Sequence, residues 1–265
     1  FSTTSDAAVV FAKQLGQRLK AQLQVVHCWV PFASDPTSMD DHIIWGEAEE
    51  HYKTQLTAFL NQHDLPAKAG ILRAGFPGEV IVELSRREDT LLLIMGTLRA
   101  YGAFEKLIGS VATYVCRHTA APVLLIPPEV HFNDHFKKVL VAGETDAISE
   151  ENLQQTLSFL LPLGAQIAFT NIDAITKADA MQVSKDTLQR ITQGQSGDLS
   201  VAVAHITSTS TEEGLNQYCT ANDIDLLVLL LHKHPWWERL FKQTLKPEKV
   251  AIELHRPILM MPLSK

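Results

Sequence analysis

One pattern of apolar segments occurs twice in this chain, at a fixed separation. The segment LLLIM at positions 91–95 is matched by LLVLL at 226–230, and APVLLIP at 121–127 by RPILMMP at 256–262, so both pairs are offset by 135 positions. A third pair, at 23–27 and 165–169, aligns at a slightly larger offset, as a longer loop in the first copy would produce. Such a repeat indicates a domain duplication. We therefore predict a first domain over residues 1–128, a linker at 129–135 and a second domain over residues 136–265.

The apolar runs also predict the fold class. Each run is short, continuous and bounded by turn-forming or polar residues, which is typical of a strand buried on both faces of a parallel sheet. Helical patterns lie between the runs of the first copy, at positions 7–23, 44–60, 80–85 and 111–118. The alternation of strands and helices indicates an α/β fold with a doubly wound parallel sheet and right-handed crossovers.

The two copies differ at their first strand. The second copy opens with the apolar segment KVLVA at 138–142, whereas the first copy has no equivalent before its first helix. A parallel sheet without its central first strand would leave unpaired edges on both neighbouring strands. We expect this strand to exist in the full protein, ahead of Phe1.

Composition argues against several classes of partner. Asp and Glu outnumber Lys and Arg by 30 to 23, a net charge of -7, so the long-range field repels nucleic acids and anionic membrane surfaces. The longest apolar run, at 226–231, is far shorter than the ~20 residues that cross a bilayer. The three cysteines lie far apart without a C-x-x-C motif, as expected of buried thiols in a reducing compartment. We expect a cytoplasmic protein with no nucleic-acid or membrane partner.

Catalytic motifs do not stand out in the sequence. We find no G-x-x-x-x-G-K-[ST], no H-E-x-x-H and no G-x-S-x-G, and no nucleophile stands beside a base. We therefore predict that the protein is not an enzyme.

A candidate ligand-binding loop follows the apolar run at 91–95. In open α/β sheets, ligands collect at the carboxyl ends of the strands, where helix N-termini present free N–H groups and a partial positive charge. The loop begins at Gly96, and Gly109 and Ser110 open the next helix. This pattern resembles the signature of the universal stress protein (UspA) family, which reads Gly, two residues, Gly, nine residues, Gly-Ser. In that family the loop and the helix start wrap the ribose and phosphates of ATP.

The resemblance extends along the chain in both copies. Phe1 and Ser2, followed by Ser5, look like the start of the family's first helix, the GFPGE turn at 75–79 like the turn before its third helix, and 121–127 like its last strand. The resemblance implies two tandem doubly wound parallel-sheet domains of the Rossmann-like, adenine nucleotide alpha hydrolase-like type. It also implies that the two last strands pair to form an intramolecular pseudo-dimer. A homodimer of whole chains is a second assembly that the resemblance allows.

The resemblance implies a ligand as well, namely ATP or another adenine nucleotide, with Mg, in the first domain. The family's adenine-contacting aspartate would end the first strand, ahead of Phe1, and Cys28 stands where the family often has an apolar residue beside the base. The site residues carried over by the resemblance are Gly96, Thr97, Arg99, Gly109, Ser110, Val111 and Cys28.

Arg99 departs from the family signature because it stands at the middle glycine. Two interpretations are open: the side chain obstructs the close backbone approach that glycine permits, or its guanidinium clamps a phosphate. For Gly96, Gly109 and Ser110, the alternative to a nucleotide site is that the glycines end a strand and the serine caps a helix.

The second copy has lost the loop. At the repeat offset, Leu231 replaces Gly96, and residues 244–245, Thr-Leu, replace Gly109 and Ser110. Without small residues the backbone cannot approach phosphates, so we predict no nucleotide there.

Other residues of interest have two interpretations each. The pairs His232 with His234 and His131 with His135 suit a shared metal ion, or they are solvent-exposed. The aromatic cluster at 236–241 either packs over the sheet or docks a partner.

These observations favour a stress-response regulatory protein whose first domain binds an adenine nucleotide. The alternative is a scaffold that binds no nucleotide and acts through protein–protein contacts, with Trp236 and Trp237 as anchors. In a third interpretation, the altered pocket of the second copy binds another small molecule or a metal.

Overall fold

The computed structural model describes residues 1–31, 39–97, 110–127, 130, 136–144, 147, 149–176, 201–230 and 256–262, with the backbone alone for 39–45. In the first half the elements are α1 (Thr3–Leu19), β1 (Val25–Trp29), α2 (Met39–Gln62), a 3-10 turn (Ala67–Ala69), β2 (Gly70–Ala74), α3 (Pro77–Ser85), β3 (Leu93–Gly96), α4 (Ser110–His118) and β4 (Val123–Ile126). In the second half they are β5 (Lys138–Gly143), α5 (Glu150–Leu160), a 3-10 turn (Leu161–Leu163), β6 (Gln166–Asn171), α6 (Asp173–Thr176), β7 (Val201–Val203), α7 (Thr211–Ala221), β8 (Leu226–Leu230) and β9 (Ile258–Met261).

Helix α1 begins and ends earlier than the predicted range of 7–23. Ser2 precedes it in an extended conformation, and the helix includes the Thr-Thr-Ser segment ahead of the predicted start. At the other end, Lys20 takes a left-handed φ of 53°, and its N–H donates to the backbone oxygens of Gly16 and Gln17. This is a usual C-terminal cap, and it turns the chain toward β1 four residues before the apolar pattern ends.

Helices α3 and α4 lie close to their predicted ranges. Helix α3 starts at Pro77 rather than at residue 80, because the fixed φ of proline suits the first helical turn, where its missing N–H is not needed. Helix α4 starts at Ser110, one residue before the predicted start.

Seven strands form one sheet in the order β3-β4-β9-β8-β5-β6-β7. Every neighbouring pair in it is parallel except β4 and β9. Helices alternate with these strands, so the protein has a Rossmann-like α/β fold, as the sequence predicted. Within the second half, the central strand β5 lies between β6 and β8.

Strands β4 and β9 join the two halves of the sheet. They run antiparallel, with Val123 opposite Met260 and Leu124 opposite Leu259. The predicted pairing of the two last strands is confirmed by this register. All four side chains are buried, so the junction lies inside the hydrophobic core.

The core has two layers, one on each face of the seven-stranded sheet. Successive residues of a strand point to opposite faces, and Leu124 and Val141 accordingly belong to one cluster, while Leu125 and Leu140 belong to the other. Helices α1 and α5 cover the first face; α3, α4 and α7 cover the second. The sheet is therefore wound on both faces.

Strands β1 and β2 form a separate parallel pair. In the described part of the chain, no strand lies between β1 and β3, the position that corresponds to β5 in the second half. Among the described residues, β1 pairs with β2 alone and β3 with β4 alone. A third hydrophobic cluster, around Val25, Leu56 and Phe59, packs α2 against this pair.

A search of the described helices for a membrane span found none that has the required length and apolar character.

Candidate functional site

The carboxyl ends of β1, β2 and β3 define the candidate site in the first half. They lie at Trp29, Ala74 and Gly96, and helices α3 and α4 begin at Pro77 and Ser110. The backbone N–H of Gly75 donates to the oxygen of Trp29 over 2.9 Å. This hydrogen bond extends the pairing of β1 with β2 to the carboxyl ends of the two strands. Among the carried-over site residues, Arg99 and Gly109 lie outside the described residues.

Gly96 packs tightly against the first turn of α1. A Cβ at this position would lie 2.9 Å from the carbonyl carbon of Thr4 and 3.1 Å from its Cβ, and closer still to its carbonyl oxygen. Real Cβ atoms essentially never approach backbone so closely, so the position needs glycine for packing alone. The glycine in the sequence pattern therefore has a structural reason that does not depend on a ligand.

Thr97 extends the pairing of β3 with β4. Its backbone N–H donates to the oxygen of Ile126 over 2.9 Å, and its hydroxyl donates to the same oxygen over 3.4 Å. The residue is 2% exposed. The hydroxyl of Thr97 is therefore directed into the sheet. Together with the backbone N–H, it fixes the point at which the chain leaves β3.

Ser110 and Val111 form the first turn of α4. Ser110 is exposed, whereas Val111 is half-buried and packs against the core between the sheet and this helix. The first turn carries no acidic residue, and the last turn carries Arg117 and His118. No carboxylate of this turn therefore neutralises the positive end of the helix dipole or occupies the free N–H groups there. Such a helix start suits an anionic ligand.

Cys28 lies on β1, one residue before the edge, opposite Arg73 of β2. Its side chain is half-buried. Burial raises the pKa of the thiol, while the charge of Arg73 acts in the opposite direction. A neutral, weakly polar thiol suits contact with an aromatic base better than contact with a phosphate.

An aromatic cluster beside this edge was not predicted from the sequence. The ring of Phe1 stacks on Phe59 at a centroid distance of 3.9 Å and on His27 at 4.6 Å. Tyr52 lies 5.5 Å from His27 and 5.6 Å from Trp29. The sequence offers one signal for this cluster. Side chains alternate between the two faces of a strand, so His27 and Trp29 of β1 lie on the same face.

His27 is the polar member of this cluster. Its Nε2 is buried and has no hydrogen-bond partner in the part of the chain that the structure describes. Burial lowers the pKa of the imidazole, since the charged form loses its hydration. Burial therefore favours the neutral form of this ring, which lies in the middle of β1.

A second histidine ties the start of α1 to the end of α2. The Nε2 of His63 lies 2.8 Å from Oδ1 of Asp6, and the amide of Gln62 donates to the same oxygen over 3.3 Å. Lys13 donates from Nζ to the backbone oxygen of His63. Together these contacts hold the first half of α1 against the C-terminal end of α2.

Two exposed aromatic side chains lie at the start of α3 and in the second turn of α4. Phe76 is 64% exposed and Tyr114 is 39% exposed. Gly78 lies beneath Tyr114, because an added Cβ would be 2.6 Å from Cδ1 of that ring. The first turn of α3 therefore packs against the second turn of α4.

The metal hypotheses are not tested by the described residues. Residues 131–135 and 231–255, which include both histidine pairs, lie outside them, as do Trp236 and Trp237. Within the described ranges, no group of three or more His, Cys, Asp or Glu side chains could hold a metal ion.

Comparison with known proteins gives a consistent result. Residues 1–127 match the universal stress protein family. Universal stress protein Sll1388 from Synechocystis sp. (strain ATCC 27184 / PCC 6803 / Kazusa) is 29% identical over 129 residues, which span 42% of this chain and 82% of that protein.

Solved structures share the fold. A universal stress protein from Archaeoglobus fulgidus DSM 4304 aligns with a TM-score of 0.63 at 16% identity, covering 98% of this chain and 94% of that one. A functionally unknown protein, PA1789 from Pseudomonas aeruginosa PAO1, aligns with a TM-score of 0.50 at 11% identity, covering 94% and 85%. At these identities the likeness concerns the fold alone.

Proposed function

We propose that this chain is a universal stress protein, since residues 1–127 match that family, and that its first half binds ATP or a related adenine nucleotide with Mg. The observation that carries the proposal is the start of α4. Ser110 is exposed there, the first turn carries no carboxylate, and the helix follows the loop that leaves β3 at the carboxyl edge of the sheet. Such a helix start favours phosphate groups.

The roles of the site residues follow from their positions. Ser110 and the first N–H groups of α4 would bind the phosphates, with Val111 beneath them as an apolar support. Gly96 and Thr97 would set the path of the loop, which contains Arg99 and ends at Gly109. Cys28 would lie beside the base. These roles lie toward the carboxyl ends of β1 and β3 and at the start of α4.

We propose a cytoplasmic regulatory protein that responds to stress through binding, and not an enzyme. The three cysteines are unpaired, in keeping with a reducing compartment. The cysteine and histidine nearest the edge, Cys28 and His27, have their pKa values shifted toward the neutral form by burial. A neutral thiol is a weak nucleophile, and a histidine with a lowered pKa is a weaker base.

We also propose that the two halves are tandem domains, over residues 1–128 and 136–265, that form an intramolecular pseudo-dimer. The support is the repeat offset and the buried antiparallel pairing of Leu124 with Leu259. Sedimentation velocity tests the assembly: a single species of 29.4 kDa is expected, and a stable species of twice this mass would favour the homodimer.

Nucleotide binding is tested by calorimetric titration with ATP and Mg on the parent chain and on Ser110→Asp. The added carboxylate favours the start of a helix but repels phosphate, so the variant remains folded and loses affinity. We expect saturable one-to-one binding by the parent chain and a loss of at least about tenfold in the variant.

Ser149→Asp is the matched control. Ser149 is the N-cap of α5, where its hydroxyl accepts from the N–H of Asn152, and Asp is an equally good cap. The control carries the same charge change at another helix start and should bind ATP as the parent does. Equal binding by both variants would contradict the site. Absence of heat and of a thermal shift at millimolar ATP, with the protein folded, would favour the scaffold that acts through protein–protein contacts.

A further inference from the structure

Phe76 is an exposed aromatic residue at a position that usually holds a polar one. It is the N-cap of α3, where Ser, Thr, Asp and Asn are preferred because their side chains bind the free N–H groups of the first turn. Phe76 makes no such hydrogen bond, and its side chain is 64% exposed. The fold thus loses a cap at this position and gains no burial in return.

The ring of Tyr114 is held close to this position from two sides. An added Cβ at Gly78, two residues after Phe76, would lie 2.6 Å from Cδ1 of Tyr114, so the ring lies directly on this glycine. On α4 itself, the ring stacks on His118 at a centroid distance of 4.3 Å and an interplanar angle of 30°. The Nδ1 of His118 lies 2.8 Å from the backbone oxygen of Tyr114. We call Phe76, Tyr114 and His118 the aromatic platform.

The aromatic platform continues from the start of α4. Ser110, Tyr114 and His118 are four residues apart, so they lie along one side of the helix, and all three are exposed. Tyr114 lies about 6 Å along the helix axis from Ser110. A phosphate group bound at the helix start would therefore lie about one helical turn from the aromatic ring.

The size of the platform limits what could cover it. A stable protein–protein interface buries about 800 Å² on each partner and involves about 20–30 residues of each. Among the described residues of α3, α4 and the α3 N-cap, no large apolar side chain other than Phe76 and Tyr114 is exposed. So small an aromatic surface suits a single planar ring system, such as a nucleobase, better than a protein.

We propose that the first half binds a dinucleoside polyphosphate in preference to ATP, and that the second base of this ligand stacks on the aromatic platform. The proposal rests on the proposed nucleotide site. The first nucleoside lies beside Cys28, the phosphate chain crosses the start of α4, and the second nucleoside lies against Phe76 and Tyr114. The platform thus distinguishes a ligand with a second nucleoside from one that ends in phosphate.

The test compares two ligands with the same number of phosphates, diadenosine tetraphosphate and adenosine tetraphosphate, by calorimetric titration with Mg. The parent chain should bind the dinucleotide at least about tenfold more tightly, as the stacking of one base predicts. Phe76→Ser should remove this preference and leave the affinity for adenosine tetraphosphate unchanged. Serine is a good N-cap, so this variant stays folded. Phe76→Trp should retain the preference, because it keeps an aromatic ring.

Val10→Ser is the matched control. Val10 is 46% exposed on α1 and does not belong to the platform, so this variant should keep the preference of the parent. Equal binding of the two ligands by the parent, or a preference that survives in Phe76→Ser, would overturn the proposal. An equal loss of affinity for both ligands in Phe76→Ser would also overturn it, because such a loss indicates a distorted phosphate site.

Two further results would separate this proposal from its neighbours. If adenosine tetraphosphate binds but the dinucleotide has no advantage, the nucleotide site stands and the second base is disproved, whereas no binding of either ligand disproves both. A parent chain that sediments as a dimer, and becomes a monomer in Phe76→Ser, would instead assign the platform to a second copy of the chain.

Discussion

The carbonyl group of Thr4 lies so close to Gly96 that an added Cβ would be 2.9 Å from its carbon. We therefore expect Gly96→Ala to lower the free energy of unfolding, by about 1–3 kcal/mol, because α1 must move away from the end of β3. Equilibrium unfolding in urea measures the change.

Gly46→Ala is the control for this prediction. Gly46 is exposed on α2 with nothing within 4 Å of an added Cβ. Alanine should raise the free energy of unfolding there by about 0.5–1 kcal/mol, because it is the better helix former. If Gly96→Ala were as stable as the parent, the close packing of Thr4 on Gly96 would be disproved.

His27 makes the stability depend on pH. Its pKa is lowered by burial, so between that value and the ordinary value near 6.5 the unfolded state binds more protons than the folded state. The contribution to stability is full above pH 6.5 and decreases as the pH falls through this window. Urea unfolding at pH 7.5 and pH 5 should therefore show a smaller pH effect in His27→Phe than in the parent.

His27→Gln separates titration from packing in that experiment. Glutamine removes the same ionisation but also removes the ring that stacks on Phe1. Both variants should lose the same part of the pH dependence, although His27→Gln should be less stable at either pH. A pH dependence equal to the parent's in both variants would contradict the role of His27.

The repeated apolar segments predicted the sheet well, because strands buried on both faces have few alternatives. The segments at 121–127 and 256–262 became β4 and β9, and their pairing was predicted. Helix ends were less well predicted. The end of α1 depends on the left-handed conformation of Lys20, which no glycine or proline marks in the sequence.

The site was predicted less completely than the fold, because its geometry depends on contacts between distant segments. The stacking of Phe1 on Phe59 joins residues that no local pattern connects. The glycine of the loop signature, Gly96, was interpreted through a ligand, whereas the structure gives it a packing role against Thr4 as well. A sequence pattern cannot separate these two roles.

The junction between the halves should behave as one unit. Leu124 and Leu259 are each 1% exposed and lie opposite each other. Each substitution to Ala should cost about 2–5 kcal/mol in the free energy of unfolding, from lost burial and the remaining cavity. Because the two side chains lie in register in one core, the double variant should deviate from additivity by about 0.5–3 kcal/mol.

Leu56→Ala provides the reference for that cycle. Leu56 belongs to the separate cluster beneath α2. Combined with Leu124→Ala, it should give additive changes to within about 0.5 kcal/mol. Additivity in the Leu124 and Leu259 pair as well would show that β4 and β9 are not energetically coupled.

The three thiols should differ in reactivity in the order of their pKa values. Burial raises the pKa of Cys116 to about 12 and that of Cys219 to about 11, and the pKa of half-buried Cys28 is also raised. Since the thiolate is the reactive form, Cys116 and Cys219 should react with iodoacetamide at pH 8 at least about a hundredfold more slowly than free cysteine. Peptide mapping by mass spectrometry measures each rate, and urea-unfolded protein supplies the reference in which all three react alike.

Cys28 should be the fastest of the three, and its labelling also reports on the edge of the sheet. If an adenine base lies beside Cys28, ATP with Mg should slow the labelling of Cys28 and leave the slower rates of Cys116 and Cys219 unchanged. Equal slowing at all three would indicate general stabilisation of the fold, since buried thiols react through opening of the structure. Unchanged labelling of Cys28 under saturating ATP would remove this residue from the site, even where the calorimetric titration shows that the nucleotide binds.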